Sequence, residues 1–225
     1  MTDPTTDLGT IWVVGQRRAP GGSFPPGGGG GGIPGDDGGI HQDELDPDGG
    51  SPDGPPTDPC LDPVTALEWN ADAAAAEAKR EFERQAGERG DDGLFSREWH
   101  AFLYEDATGR VYVGPVSAGS QGTVTPDTTG MTPNSLVGFI HNHPGGGLNP
   151  SGDDWTGFDS LYGWVAQWSS GGVSRANQLR QYIIARDTTD PNSSMAIRVF
   201  NNDSSRSSDA PAPEVNPEAQ QCPPA

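Results

Sequence analysis

The sequence predicts one mixed α/β domain of α+β character, a mixed sheet flanked by two main helices, held between low-complexity tails. Three observations point to it. An alanine-rich stretch carries apolar residues at helical spacing, and a second aromatic-rich stretch does the same. Between and after these helices, short runs of β-branched and aromatic residues are separated by turn residues. Outside about 140 residues, from 62 to 201, the linker before them and the tail after them are mostly Gly, Pro, Ser and acid, which cannot bury a core.

Each element follows in order. "TIWVVGQRR", within the N-terminal segment 1–18, reads as a short extended piece that docks on a sheet edge or a partner, or as a loose tail. Residues 19–61 are an acidic Gly/Pro-rich linker expected to be disordered. Asp62 is a good N-cap and Pro63 suits the first turn of a helix over 63–88. Its apolar stripe is Val64, Leu67, Ala71, Ala74 and Ala78, and Gly87 or Gly90 stops it. "EWHAFLYED" (98–106) and "RVYVGPV" (110–116) flank "ATG" as a hairpin, and 117–134 is a loop. "SLVGFIH" (135–141) is a buried strand ending in a histidine. A helix over 153–168 faces inward with Trp155, Phe158, Leu161, Tyr162, Val165 and Trp168. Strands at 178–186 and 195–201 close the domain, and the tail 202–225 is expected to be disordered.

Charge narrows the function. The net charge of -19, from 32 acids against 13 Lys and Arg, repels phosphate backbones, so neither nucleic acid nor an anionic membrane is expected as a partner. No apolar run is long enough to span a bilayer, and the N-terminus does not read as a secretory signal. The expected location is cytoplasmic, or outside the cell by a route that uses no such signal. Cys60 and Cys222 can pair after export, but two cysteines are weak evidence, and free thiols are the expectation.

Two of the four histidines, His141 and His143, stand two apart at a strand end, so both side chains point to one side. Two imidazoles with a carboxylate nearby suit a zinc ion, which takes three protein ligands and leaves one position open. A polar turn with chance histidines is the alternative. Spacing excludes several named sites: no Glu follows at cupin distance, Pro144 and Gly145 break the metallo-β-lactamase pattern, and the deaminase H-x-E and P-C-x-x-C are missing. The letters "HNH" do not match the nuclease of that name, whose residues lie far apart.

"HNHPGGGLNPSGDD" does fit one pattern. His141, His143, Pro144, Ser151 and Asp154 fall on the H-x-H-P, six residues, S-x-x-D signature of the JAMM (JAB/MPN) metalloproteases. Glu98 opens the strand after the first helix, where that family carries a glutamate. The chain resembles this superfamily over about residues 62–200 and looks closest to bacterial JAB-like domains in prophage and toxin-like proteins. The resemblance implies a cytidine-deaminase-like mixed sheet, zinc held by His141, His143 and Asp154, Glu98 as general base and Ser151 as oxyanion donor. It implies hydrolysis of a peptide or isopeptide bond in a ubiquitin-like tail, a peptidoglycan crosslink or another target protein.

Rival readings stand beside each role. Ser151-x-x-Asp154 is also a helix capping box. Asp153 competes with Asp154 as ligand, and Glu105 with Glu98 as base. His100 shares a face with Glu98, either beside the site or simply packed. Trp155, Trp164 and Trp168 read as core. Three consecutive glycines after Pro144 suggest a loop that closes only on substrate. The alternative to an enzyme is a non-catalytic binding module of the same fold in a phage or toxin assembly.

Overall fold

The computed structural model describes residues 13–14, 58–186, 194–207 and 212–224. Among the described residues, Val13, Val14 and those from Pro59 onward belong to one compact unit. The linker expected over 19–61 lies outside the described residues as far as residue 57. Its end, Pro59–Leu61, is a 3-10 turn leading into the first helix.

Helix α1 runs Pro63–Arg89. Asp62 caps it, its carboxylate accepting the Thr65 amide at 2.8 Å, with Pro63 in the first turn where no amide donor is needed. Gly90 ends it at φ 75, and the Asp91 amide returns to the Ala86 carbonyl at 2.9 Å. The inner face is mostly alanine (Ala71, Ala74, Ala75, Ala78 and Ala86), and such small side chains let the helix backbone lie close to the sheet. Val64, expected on that face, is 48% exposed in the first turn of the helix.

The remaining elements are β1 (Val13–Val14), β2 (Trp99–Glu105), β3 (Val111–Val113), β4 (Ser117–Ala118), β5 (Thr123–Val124), β6 (Leu136–Asn142), α2 (Gly152–Trp168), α3 (Gly172–Ala176), β7 (Arg180–Ala185) and β8 (Ala196–Phe200). The main sheet has the order β3-β2-β6-β7-β8, and β4 pairs with β2. All its pairings are antiparallel except β6 with β7. That parallel pair requires a crossover, which α2 and α3 supply. The chain is therefore a mixed α/β protein with a mixed sheet. β1 pairs with β5 in a separate two-stranded ribbon. The short helix α3 and the strands β4 and β5 have no signature in the sequence strong enough to separate them from loop.

Strand alternation sorts the side chains onto two faces. Trp99, Ala101, Leu103, Ile140, Tyr182 and Ile184 pack against α1. Phe102, Tyr104, Phe139, Ile183 and Phe200 pack on the other face with Trp155, Phe158, Leu161 and Val165 of α2. Trp164 is buried there as well, whereas Trp168, expected inward, is 49% exposed at the helix end. At Gly138 a Cβ would lie 2.2 Å from the Arg180 carbonyl oxygen, so only glycine lets β6 and β7 approach this closely.

The expectation of a disordered tail fails for the described residues 212–224. Val199 and Val215 exchange backbone bonds with Pro213 and Ile197, adding residues 213–215 to the outer edge of β8. Val215 is buried in the α1 core. The chain then crosses α1, where Gln220 and Pro217 carbonyls accept from Trp69 (2.6 Å) and Arg80 (3.2 Å). At the far side, the Gln221 amide bonds both backbone groups of Val111 on the outer edge of β3. The free-thiol expectation falls with it: Cys60 and Cys222 form a disulfide, their Cα atoms 5.5 Å apart. They are 162 residues apart in sequence, and only the returning tail brings them together.

Candidate metal centre

The site lies on the α2 face of the sheet. Odd-numbered residues at the end of β6 point there, as Phe139 does, and so deliver His141 and His143. On β2 the even-numbered residues face the same way, which places His100 and Glu98 beside them. The N-terminus of α2 supplies Asp154 at its third position.

Three ligand atoms converge. His141 Nε2 and His143 Nε2 are 3.0 Å apart, and each is near the Asp154 carboxylate, at 3.3 and 3.2 Å. One donor atom from each residue lies within 4.8 Å of the others, and all three side chains are buried. Among the described residues this group can hold a metal ion. Glu98, with no exposed surface, is close enough for its charge to favour the protonated form of His143.

Neighbouring groups fix the orientation of these side chains. The Nδ1–H of His143 donates to the Gly147 carbonyl at 2.9 Å, leaving Nε2 with its lone pair toward the other donors. Gly147 holds that carbonyl in place with φ 117, a conformation open only to glycine, and Gly146 precedes it at φ 81. The glycine loop thus lies against His143 through the Gly147 carbonyl. Among the described residues His141 has no such partner on Nδ1, and its ring stacks on Phe139 at 6.0 Å between ring centres.

The capping box and the ligand role prove to be compatible. Ser151 Oγ accepts the Asp154 amide at 3.1 Å, while Asp154 Oδ2 accepts the Ser151 amide at 2.6 Å. The same Oδ2 faces His143, so capping aims the carboxylate rather than consuming it. Asp153 stays outside the cluster, and Glu105 is engaged elsewhere, paired with Arg175 at 2.7 Å. His100 is opposite His141 in the β2–β6 register, fully enclosed and without a hydrogen-bond partner among the described residues.

The charges at this cluster oppose one another. Burial pushes the Asp154 carboxyl up, but the two imidazoles outweigh it and hold the group well below the usual carboxylate range. For His143, burial opposes the charge, yet the Asp154 bond and charge, the Gly147 carbonyl and Glu98 together raise its pKa. For His141 burial prevails and the pKa falls. One buried carboxylate therefore faces two imidazoles that cannot both carry a proton at ease.

One residue of this site has no counterpart in the sequence reading. Asn142, between the histidines, points to the opposite face and is fully buried. Its Oδ1 accepts the Trp99 amide at 2.5 Å, and its Nδ2 donates to the carbonyls of Leu94 (2.6 Å) and Arg97 (3.0 Å). It thereby ties the chain on both sides of Glu98 to the strand that carries the histidines. A polar residue inside an otherwise apolar strand is the signal that marks it.

No family model, curated protein or solved structure matches this chain. Among the described residues no helix is long and apolar enough to cross a membrane.

Proposed function

We propose that the domain is a zinc-dependent peptidase or isopeptidase of the JAMM type. The observation that carries this reading is the convergence of His141, His143 and Asp154 on one buried point, with Glu98 enclosed on the same face. Two nitrogens and one carboxylate oxygen suit zinc among the common divalent ions. Bound there, zinc would supply Lewis acidity toward a carbonyl group and water.

The chain's own residues do the rest. Glu98, enclosed by protein, takes a proton from water at its carboxylate and delivers it to the leaving amine. Asn142 holds the backbone around Glu98 at a fixed distance from the histidines. Ser151 donates its hydroxyl proton toward a developing oxyanion while its oxygen accepts the Asp154 amide, two roles one hydroxyl can combine. The Gly147 carbonyl keeps His143 in the ligating tautomer.

The extent of burial favours one second reading. His141 and Asp154 are wholly enclosed and His143 is 3% exposed, which also suits a metal-stabilised binding module that performs no chemistry. Metal analysis and amide hydrolysis separate the two. The peptidase reading expects one zinc per chain, its loss in His143→Ala, and cleavage within a panel of peptide and isopeptide amides that Glu98→Gln abolishes with zinc retained. Zinc retained with no cleavage across the panel leaves the binding module, and no metal uptake at all sinks both.

A further inference from the structure

We infer that the C-terminal segment is a covalent latch over α1, and that the domain is built to work in an oxidising compartment. The latch has three points of attachment. Residues 213–215 cover the outer edge of β8, and Val215 fills a place in the α1 core. Gln221 covers Val111 on the outer edge of β3. Between them the chain lies across α1, held by Trp69, Asn70 and Arg80, with the Cys222 amide on Asn70 at 2.6 Å.

Polar contacts at a chain end are worth little individually, since each replaces a bond to water. The disulfide makes them persist. Cys222 is buried and is joined to Cys60, in the 3-10 turn that leads into α1, so the segment cannot leave without breaking a covalent bond. Both cysteines of the chain are spent on this one bond. Bonds of this kind form when two thiols pass two electrons and two protons to a disulfide-carrying oxidant, and they persist where thiols are not kept reduced. A cytosol would leave the latch open, both outer sheet edges bare and the Val215 place in the core empty. Such edges are sites of unwanted pairing.

A consequence for substrate follows, and it rests on the peptidase reading: the amide cleaved is outside the reducing cytosol. That favours an extracytoplasmic peptide over a cytosolic ubiquitin-like conjugate.

Thiol alkylation and amide hydrogen exchange on the full chain test the latch, and neither requires metal or activity. The native chain, purified without reductant, should take up no alkylating agent until dithiothreitol is added. One dithiothreitol then gives two electrons and two protons, leaving two thiols and its own cyclic disulfide. In the reduced chain and in Cys222→Ser, the amides of Val111, Val199 and Val215 should exchange at least tenfold faster, while those of β6 and β7 keep their protection. Global unfolding on reduction also supports the inference, since the fold then requires an oxidising compartment. Alkylation of the native chain, or unchanged exchange at all three amides after reduction, overturns it. Failure of zinc binding or amide cleavage bears on the peptidase reading alone.

Discussion

Asn142 accepts the Trp99 amide at 2.5 Å across the ends of two neighbouring strands, and this single contact joins the residue after Glu98 to the residue between the two histidines. Backbone hydrogen bonds already pair β2 with β6 at His100 and His141. The Asn142 side chain extends that pairing past the end of the ladder, to the point where Glu98 must be held. Removing it in Asn142→Ala leaves the buried Trp99 donor unsatisfied, at a cost of about 1–3 kcal/mol. Chemical denaturation should show that loss, and zinc affinity should stay near wild type because the side chain points away from the metal face. A loss below about 0.5 kcal/mol would mean that water replaces the amide.

Gly147→Ala probes the orientation of His143. The new methyl group meets the imidazole only at ordinary contact distance, so the damage comes from φ 117, which alanine does not tolerate. As the loop relaxes, the carbonyl leaves Nδ1. Zinc affinity should weaken by about 10–100-fold, the range for loss of a group that orients a ligand. A competition titration with a chromogenic chelator reads it directly, and unchanged affinity would show that His143 is oriented by something else.

Glu98→Gln and Asp154→Asn should part company. The first keeps shape and a hydrogen bond but cannot take a proton, so zinc content stays while turnover falls by about two orders of magnitude or more. The second removes a charged ligand, so zinc is lost first and excess metal restores activity in part. If Glu98→Gln is fully active while Glu105→Gln is not, the base has been assigned to the wrong end of β2.

Asp72 gives a pH dependence unconnected with the metal. Burial raises its carboxyl pKa, against the opposing Tyr182 hydrogen bond at 2.9 Å and the charge of Arg180. The folded state therefore binds this proton more tightly than the unfolded state. Its contribution to stability is present below the ordinary aspartate pKa and is lost as pH rises through the raised value. Asp72→Asn still accepts from Tyr182 but carries no charge. Its melting temperature should exceed wild type at neutral pH, and the gap should close on acidification. A gap constant with pH would point to a cause other than the carboxylate charge.

What the sequence discloses is what is local in it. The Asp62 cap and the hairpin around 107–109 are determined within a few residues and the structure places both as expected, and the H-x-H and S-x-x-D spacings bring His141, His143 and Asp154 together. Contacts over long separations were not legible. Asn142 reads as a spacer until Trp99 is brought beside it, and Cys222 reads as a free thiol until its segment crosses α1. Amphipathic spacing also fails at helix ends. Val64, near the start of its helix, and Trp168, at the end of its own, hold the inward phase but are exposed, whereas Trp164 is buried as expected.

The three candidate metal ligands lie within 13 positions of one another, from the end of β6 to the first turn of α2, whereas Glu98 stands 43 residues before His141. Closing the longer loop costs about 1 kcal/mol more on entropic grounds alone. Assembly of the centre therefore has a natural order in time. The two imidazoles and the carboxylate can meet as soon as one strand and one helix turn touch, and the glutamate joins only when β2 zips onto β6. An ion captured at the first stage would act as a nucleus for the sheet, so zinc should speed refolding as well as slow unfolding.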